Sequence, residues 1–333
     1  PMASSALLHP NWDLPPAGVT DGFSLEMTAK DEASLRDAAP LIPAETPIAV
    51  TYLPGEEVDA RVAATIAVRE LGFEPMPHFS ARRITSEDDF EAYLKAVVEK
   101  AGVRRCFIVA GDPPEPQGPY FDTMALISTG AFERAGIQAI GIGGHPEGHP
   151  NMSEAECWAV LQTKVREIES RGMAPLVVTQ FGFDPDAFLV WLKELRARGI
   201  MCPVRIGIPG PAGIKRLLAF AARCGVGASA SVMKKYGVSI TNLLGTAGPD
   251  KLVDAFANGL GEAHGRVRLH FYPFGGLTKT LEWINTYYPA GGQDKYGASG
   301  QKLMAGKITG KQYADELEAA WKGSVKTWRG VEK

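Results

Sequence analysis

The sequence predicts a single domain of the α/β class, a (β/α)8 TIM barrel with extra helices before the last strand and a C-terminal helical extension. Three observations carry this expectation. From Phe23 onward, short β-rich runs alternate with longer amphipathic stretches, the pattern of βα units around a parallel sheet. Eight such runs can be counted, and polar residues stand where these otherwise apolar runs stop. In a barrel all the strand ends ring one mouth, the face where the fold keeps its chemistry. A doubly wound open sheet has the same local periodicity, so strand count and length decide for the barrel.

The runs are Phe23 to Glu26, Ile48 to Tyr52, Glu74 to Phe79, Arg104 to Ala110, Gln138 to Ile142, Leu176 to Phe181, Pro203 to Ile208 and Val267 to Tyr272. Between them, Asp59 to Leu71 and Glu87 to Ala101 space apolar residues by three and four, and Gly72 and Gly102 stand where those helices end. Two extra helical segments, Val232 to Tyr236 and Lys251 to Asn258, precede the last strand. The barrel is expected over about 20–290. An extension over 291–333 closes the chain: the loop PAGGQDKYGASG leads to a charged helix from Lys311 to about Trp328. No repeat, low-complexity run or long Pro/Gly linker divides the 333 residues. Pro1 ahead of Met2 reads as a remnant of tag cleavage.

With 45% hydrophobic and 22% charged residues, the chain can bury a sizeable core. Its formal net charge is −3 with cations scattered among acids, which argues against nucleic acid as a partner. The four cysteines, Cys106, Cys157, Cys202 and Cys224, form no CxxC pair and read as thiols of a reducing compartment. No apolar run is long enough to cross a membrane, so a cytoplasmic protein is expected. An assembly of identical copies is expected as well.

The strand ends carry, in order, Glu26, Thr51, His78, Asp112, His145, Gln180, the turn from Gly207 to Gly210, and Tyr272. Singly, each has an ordinary reading as a capped or satisfied polar group. Together at equivalent positions they mark a site. Ala110-Gly111-Asp112-Pro113-Pro114 offers a glycine for close backbone approach beside a carboxylate in a stiffened loop. Gly143 to Pro150 gathers His145, Glu147 and His149 among glycines and prolines, either a metal site or a shaped wall for a cofactor. There is no GxGxxG after a strand and no GxxxxGK[ST], so any dinucleotide is held without those fingerprints.

At these residues the chain resembles the methylenetetrahydrofolate reductases of the FAD-dependent bacterial kind. These flavin-containing (β/α)8 barrels interconvert 5,10-methylene- and 5-methyltetrahydrofolate. The resemblance spans about Gly22 to Tyr288. It rests on Ser24-Leu25-Glu26, Val50-Thr51-Tyr52, Pro77-His78, Gly111-Asp112 with the two prolines after it, Pro146-Glu147-Gly148-His149-Pro150, Thr179-Gln180-Phe181 with Asp184, and His270-Phe271-Tyr272. It implies a ping-pong relay in which NADH or NADPH reduces FAD, and the flavin then passes hydride to the folate.

By the same resemblance, Glu26 is the general acid that opens the methylene bridge to an iminium at folate N5. Partial burial is expected to raise its pKa for that work. Asp112 is implied as the second catalytic residue, lying near both flavin and pterin. Thr51, His78, Gly111, Asp112, Tyr120, His145, His149 and Lys164 are implied on the cofactor, with Lys164 at the flavin phosphates. Glu26, Gln180, Phe220, Tyr272 and Lys279 are implied on the folate, and no metal is called for.

Departures from the family pattern are Ala110 in place of an arginine, His145 in place of a tyrosine, and Gly276 where an arginine is usual, with Lys279 the nearest cation. The stretch from Lys164 to Gln180 is also about five residues longer than in common bacterial relatives, which bears on the flavin-phosphate contacts. Two other readings stand beside this one. One is a metal-assisted barrel hydrolase built on His145, His149 and Asp112. The other is a flavin- or folate-binding barrel that depends on a partner electron donor.

Overall fold

The structure is a computed structural model, and it describes residues 18–238, 243–287, 309–312, 314 and 315. Eight parallel strands close into a barrel: β1 (Ser24–Met27), β2 (Pro47–Val50), β3 (Glu74–Ser80), β4 (Arg105–Val109), β5 (Ala139–Gly144), β6 (Ala174–Phe181), β7 (Val204–Pro209) and β10 (Val267–Tyr272). Each pairs with its neighbours in chain order, and β10 closes the ring between β7 and β1. Two short strands, β8 (Ala212–Gly213) and β9 (Thr246–Ala247), form an antiparallel ribbon outside the barrel. The expected fold class is what the chain adopts. The strand bounds differ from the expected ones by a few residues. β6 begins at Ala174 because Ala174 and Pro175 already pair with Ala139 and Ile140, and β5 runs on to Gly144 against Thr179.

The helices are α1 (Glu32–Ala38), α2 (Val58–Glu70), α3 (Glu87–Ala101), α4 (Thr123–Ile127), α5 (Ala131–Arg134), α6 (Glu154–Ser170), α7 (Pro185–Ala197), α8 (Ile214–Arg223), α9 (Ala230–Tyr236), α10 (Asp250–Gly259) and α11 (Leu277–Thr286). Their starts follow local chemistry. The Ser86 side chain accepts from Asp89 N ahead of α3, and Ser153 with Glu156 forms a capping box at α6. Asp184 caps α7, with Pro185 in its first turn. The extra helices expected before the last strand are α9 and α10.

The chain divides into two compact units, Pro1–Asn285 and Thr286–Lys333. The loop PAGGQDKYGASG lies outside the described residues, as does most of the helix expected from Lys311 to about Trp328. Among the described residues no helix is long and apolar enough to cross a membrane.

Alternating residues of each strand point inward and fill the barrel in layers. An apolar layer of Met76, Phe107, Ala139, Ala174, Leu176 and Val178 occupies the middle. Where β3 and β4 begin, the buried Glu74 holds three guanidinium groups: Arg69 at 2.7 Å, Arg104 at 2.9 Å and Arg105 at 3.5 Å. At the other end the layer is polar, and it begins the candidate site.

Candidate active site

Glu26 on β1, His78 on β3, and His270 and Tyr272 on β10 line one cavity inside the barrel. Glu26 Oε2 lies 3.5 Å from His270 Nε2 and 3.7 Å from His78 Nε2. Ser24, two residues before Glu26 and so on the same face, meets His270 Nδ1 through its hydroxyl at 2.8 Å. Phe107 packs at 4.7 Å on the His78 ring, and Tyr272 meets the His270 ring edge-on at 4.9 Å. The Tyr272 hydroxyl donates to Thr179 O at 2.9 Å, which ties β10 to β6.

Burial pushes the Glu26 carboxyl up. The hydrogen bond with His270 and the charges on His78 and His270 outweigh it, so the pKa lies below the ordinary 4.5. The sequence expectation of a raised pKa is therefore corrected for the free protein. Its cause is the pair of imidazoles, which face the carboxyl only once β3 and β10 are in place. Burial also lowers the His78 imidazole to about 4 despite the pull of Glu26. At neutral pH the pair is an anion beside a neutral ring.

Among the expected cofactor positions, His145 and His149 come together at the end of β5, with ring centroids 4.7 Å apart. Burial, then His149 and Lys164, hold His145 at about 4. Asn151 N donates to His149 Nδ1 at 3.0 Å, which leaves Nε2 to carry the ring proton. Burial lowers the Lys164 ammonium on α6, against the pull of Asp122 and Cys157. Thr51 Oγ1 is buried and, among the described residues, has no hydrogen-bond partner. Gly111 has φ of +93°, and a Cβ there would sit 2.4 Å from Ser80 Oγ. Tyr120 is buried with its ring edge-on to Phe90 at 5.5 Å.

Asp112 stands in the exposed loop after β4, in an ion pair with Arg83. The Arg83 side chain is itself largely covered, so this cation comes from the turn after β3 in the region where Ala110 brings none. Arg82 braces the same loop by donating to Phe121 O at 2.8 Å and Pro113 O at 3.2 Å.

Among the folate positions, Gln180 turns its side-chain oxygen back to accept from Phe181 N at 3.1 Å. Phe220 stacks on Phe274 at 4.2 Å with 19° between the rings, and Phe274 stacks in turn on Tyr272. Lys279 is exposed on α11 and is not part of the cavity lining. No three His, Cys, Asp or Glu side chains among the described residues are arranged to hold a metal ion. His145, His149 and Asp112 thus do not converge as the hydrolase reading requires.

Residues that sequence reasoning missed are Ser24, His270 as a site residue, Arg83 and Phe274. Inward alternation along β1 and β10 marks Ser24 with Glu26 and His270 with Tyr272. Neither Arg83 nor Phe274 has such a signal.

The sequence model of the family described as methylenetetrahydrofolate reductase matches residues 25–272. Methylenetetrahydrofolate reductase (NADH) 1 of Arabidopsis thaliana is 26% identical over 180 residues, 50% of this chain and 29% of that protein. Methylenetetrahydrofolate reductase 2 of Saccharomyces cerevisiae is 28% identical over 130 residues, 37% of this chain and 21% of that one. These alignments span less than a third of the relatives' own length. A solved structure from Clostridium thermocellum, a protein that binds two copies of 5-methyl-5,6,7,8-tetrahydrofolic acid, superposes with a TM-score of 0.56 at 14% identity. It covers 84% of this chain and 96% of that one, a likeness of fold. With the family match running from β1 to β10, the chain belongs to the methylenetetrahydrofolate reductase family.

Proposed function

We propose that this protein interconverts 5,10-methylenetetrahydrofolate and 5-methyltetrahydrofolate in the cytoplasm, using FAD that NADH or NADPH reduces in a separate half-reaction. The observation that carries this reading is the Glu26 carboxyl set between the His78 and His270 rings inside the barrel of a chain of this family. FAD, when bound, supplies the hydride-carrying chemistry. The residues present fit such a group. Thr51 offers a buried hydroxyl in need of a partner, and the φ of +93° at Gly111 gives its loop a backbone turn that a side chain would strain. His145 and His149 form a wall with imidazole hydrogen bonds to give, and the Lys164 ammonium suits a phosphate.

Glu26 has one task, to deliver a proton from Oε2 to the folate. Ser24 assists by holding His270 Nδ1; in the tautomer where its hydroxyl donates there, the ring proton is on Nε2 and faces that oxygen. A folate seated over the mouth excludes water, strengthens the burial effect already acting on the carboxyl, and raises its proton affinity when an acid is needed. Phe220 and Phe274 offer aromatic faces to the substrate, and Gln180 offers hydrogen bonds once its side chain turns outward.

The test is visible absorbance. The purified protein, or the protein given FAD, is expected to hold about one FAD per chain as the family chemistry requires. Its colour is expected to bleach with NADH or NADPH and return with methylenetetrahydrofolate. A protein that ignores added FAD overturns the reading. One that binds FAD but bleaches only with another protein present supports the dependence on a partner electron donor instead.

A further inference from the structure

We infer that Glu147 is a positioning residue that clasps the loop carrying His145 and His149 to the backbone following Gln180. The ligands in this inference rest on the proposed function, while the clasp stands on geometry alone. Glu147 belongs to the loop after β5 but reaches across to the loop after β6. Its Oε2 accepts from Phe183 N and its Oε1 from Asp184 N, both at 3.3 Å. The approach is so close that a Cβ at Gly182 would sit 1.9 Å from Oε2 and 2.5 Å from Phe188 Cε2.

Both ends of the clasp are anchored. On one side Gly148 N donates to His145 O at 3.1 Å, which fixes Glu147 in a turn beginning at the His145 backbone. On the other, Phe183 packs against Phe181 and Tyr236, while Asp184 caps α7 and meets Lys235 of α9 at 3.5 Å. One carboxyl thereby links the proposed flavin wall to the strand end that carries Gln180, and a shift of either reaches the other.

Its protonation sets the strength of the link. Burial raises the Glu147 carboxyl to about 7, against the two backbone hydrogen bonds and with repulsion from Asp184. The ionisable group that acts on it is Asp184, itself paired with Lys235; His145 and His149 stand on its own loop, where Lys164 of α6 acts on His145. Ionised, both oxygens accept. Protonated, one oxygen carries hydrogen and one backbone N–H loses its acceptor, so the clasp loosens as pH falls through about 7.

The test compares wild type with Glu147→Gln and Gly182→Ala, reading 5-methyltetrahydrofolate affinity and amide hydrogen exchange at Phe183 and Asp184. Wild type is expected to bind folate about tenfold more weakly at about pH 6 than at about pH 8, the scale of one charge-assisted hydrogen bond. Glu147→Gln, which mimics the protonated acid, should be weak at both values and exchange faster at the two amides. Gly182→Ala should expel the carboxyl and do the same. Glu147→Gln with wild-type affinity and pH profile overturns the inference. Should wild type bind no folate, the functional reading falls and exchange alone decides: faster exchange in Glu147→Gln upholds the clasp, and unchanged exchange overturns it.

Discussion

Replacing Glu26 with glutamine is expected to cut folate turnover by about 10²- to 10⁴-fold, the range that one general acid contributes. Reduction of the bound flavin by NADH or NADPH should stay within about twofold of wild type, because that half-reaction asks for no proton from this residue. Glutamine keeps the shape of the side chain and an oxygen for the imidazoles, so the loss isolates the proton. With the anion gone, His78 also loses the attraction that opposes its burial, and its ring stays neutral. Stopped-flow measurement of the two half-reactions checks this. Equal losses in both would show that Glu26 shapes the pocket instead of serving the folate.

Glu74→Ala carries the largest expected cost in stability. At the start of β3 the Glu74 carboxylate holds Arg69, Arg104 and Arg105, and Arg105 is 7% exposed at its side chain. Arg69 and Arg104 reach solvent and can hydrate, so the loss falls on Arg105. Breaking a buried pair by removing one partner costs about 3–5 kcal/mol, a large share of the roughly 5–15 kcal/mol that holds a domain folded.

The same group sets a pH dependence. Burial raises the Glu74 carboxyl, but the hydrogen bond with Arg69 and the charge of Arg105 lead the forces that bring it below the ordinary 4.5. A depressed folded-state pKa contributes stability that is present above the unfolded value and lost as pH falls through the folded one. Urea unfolding should therefore show wild type losing stability on acidification below 4.5, with Glu74→Ala losing less over the same window. Equal midpoints for the two proteins at neutral pH would dismiss the network as a stabiliser.

The barrel is legible in the sequence because parallel strands covered on both faces read as near-continuous apolar runs, and β2 and β7 are buried throughout. β8 and β9 are two residues each, too short for any period to register. Glu26, Thr51, His78 and Tyr272 are legible because a polar residue ending an apolar run stands out. His270 hides two residues before such an end, where a histidine passes for part of the core. The electrostatics are not legible at all. Glu26 loses proton affinity to rings supplied by β3 and β10, and Asp112 meets Arg83 across two loops, relations that exist only after closure. Gln180 was read from its place at a strand end, but only the structure shows its side chain turned back to Phe181 N.

The contact between Ser24 and His270 joins residues 246 positions apart in the chain, across the seam where the last strand meets the first. Until β10 slots in between β7 and β1, Glu26 has no His270, Ser24 has no partner, and the sheet keeps two open edges. Non-local pairings of this kind are slow to form, because the entropy of closing the long loop must be met before any contact compensates for it. The approach of His270 to Glu26 thus requires the ring to be closed. A chain still emerging from the ribosome carries Glu26 and Ser24 early but His270 only after most of its length is made, so the three meet only when the ring shuts.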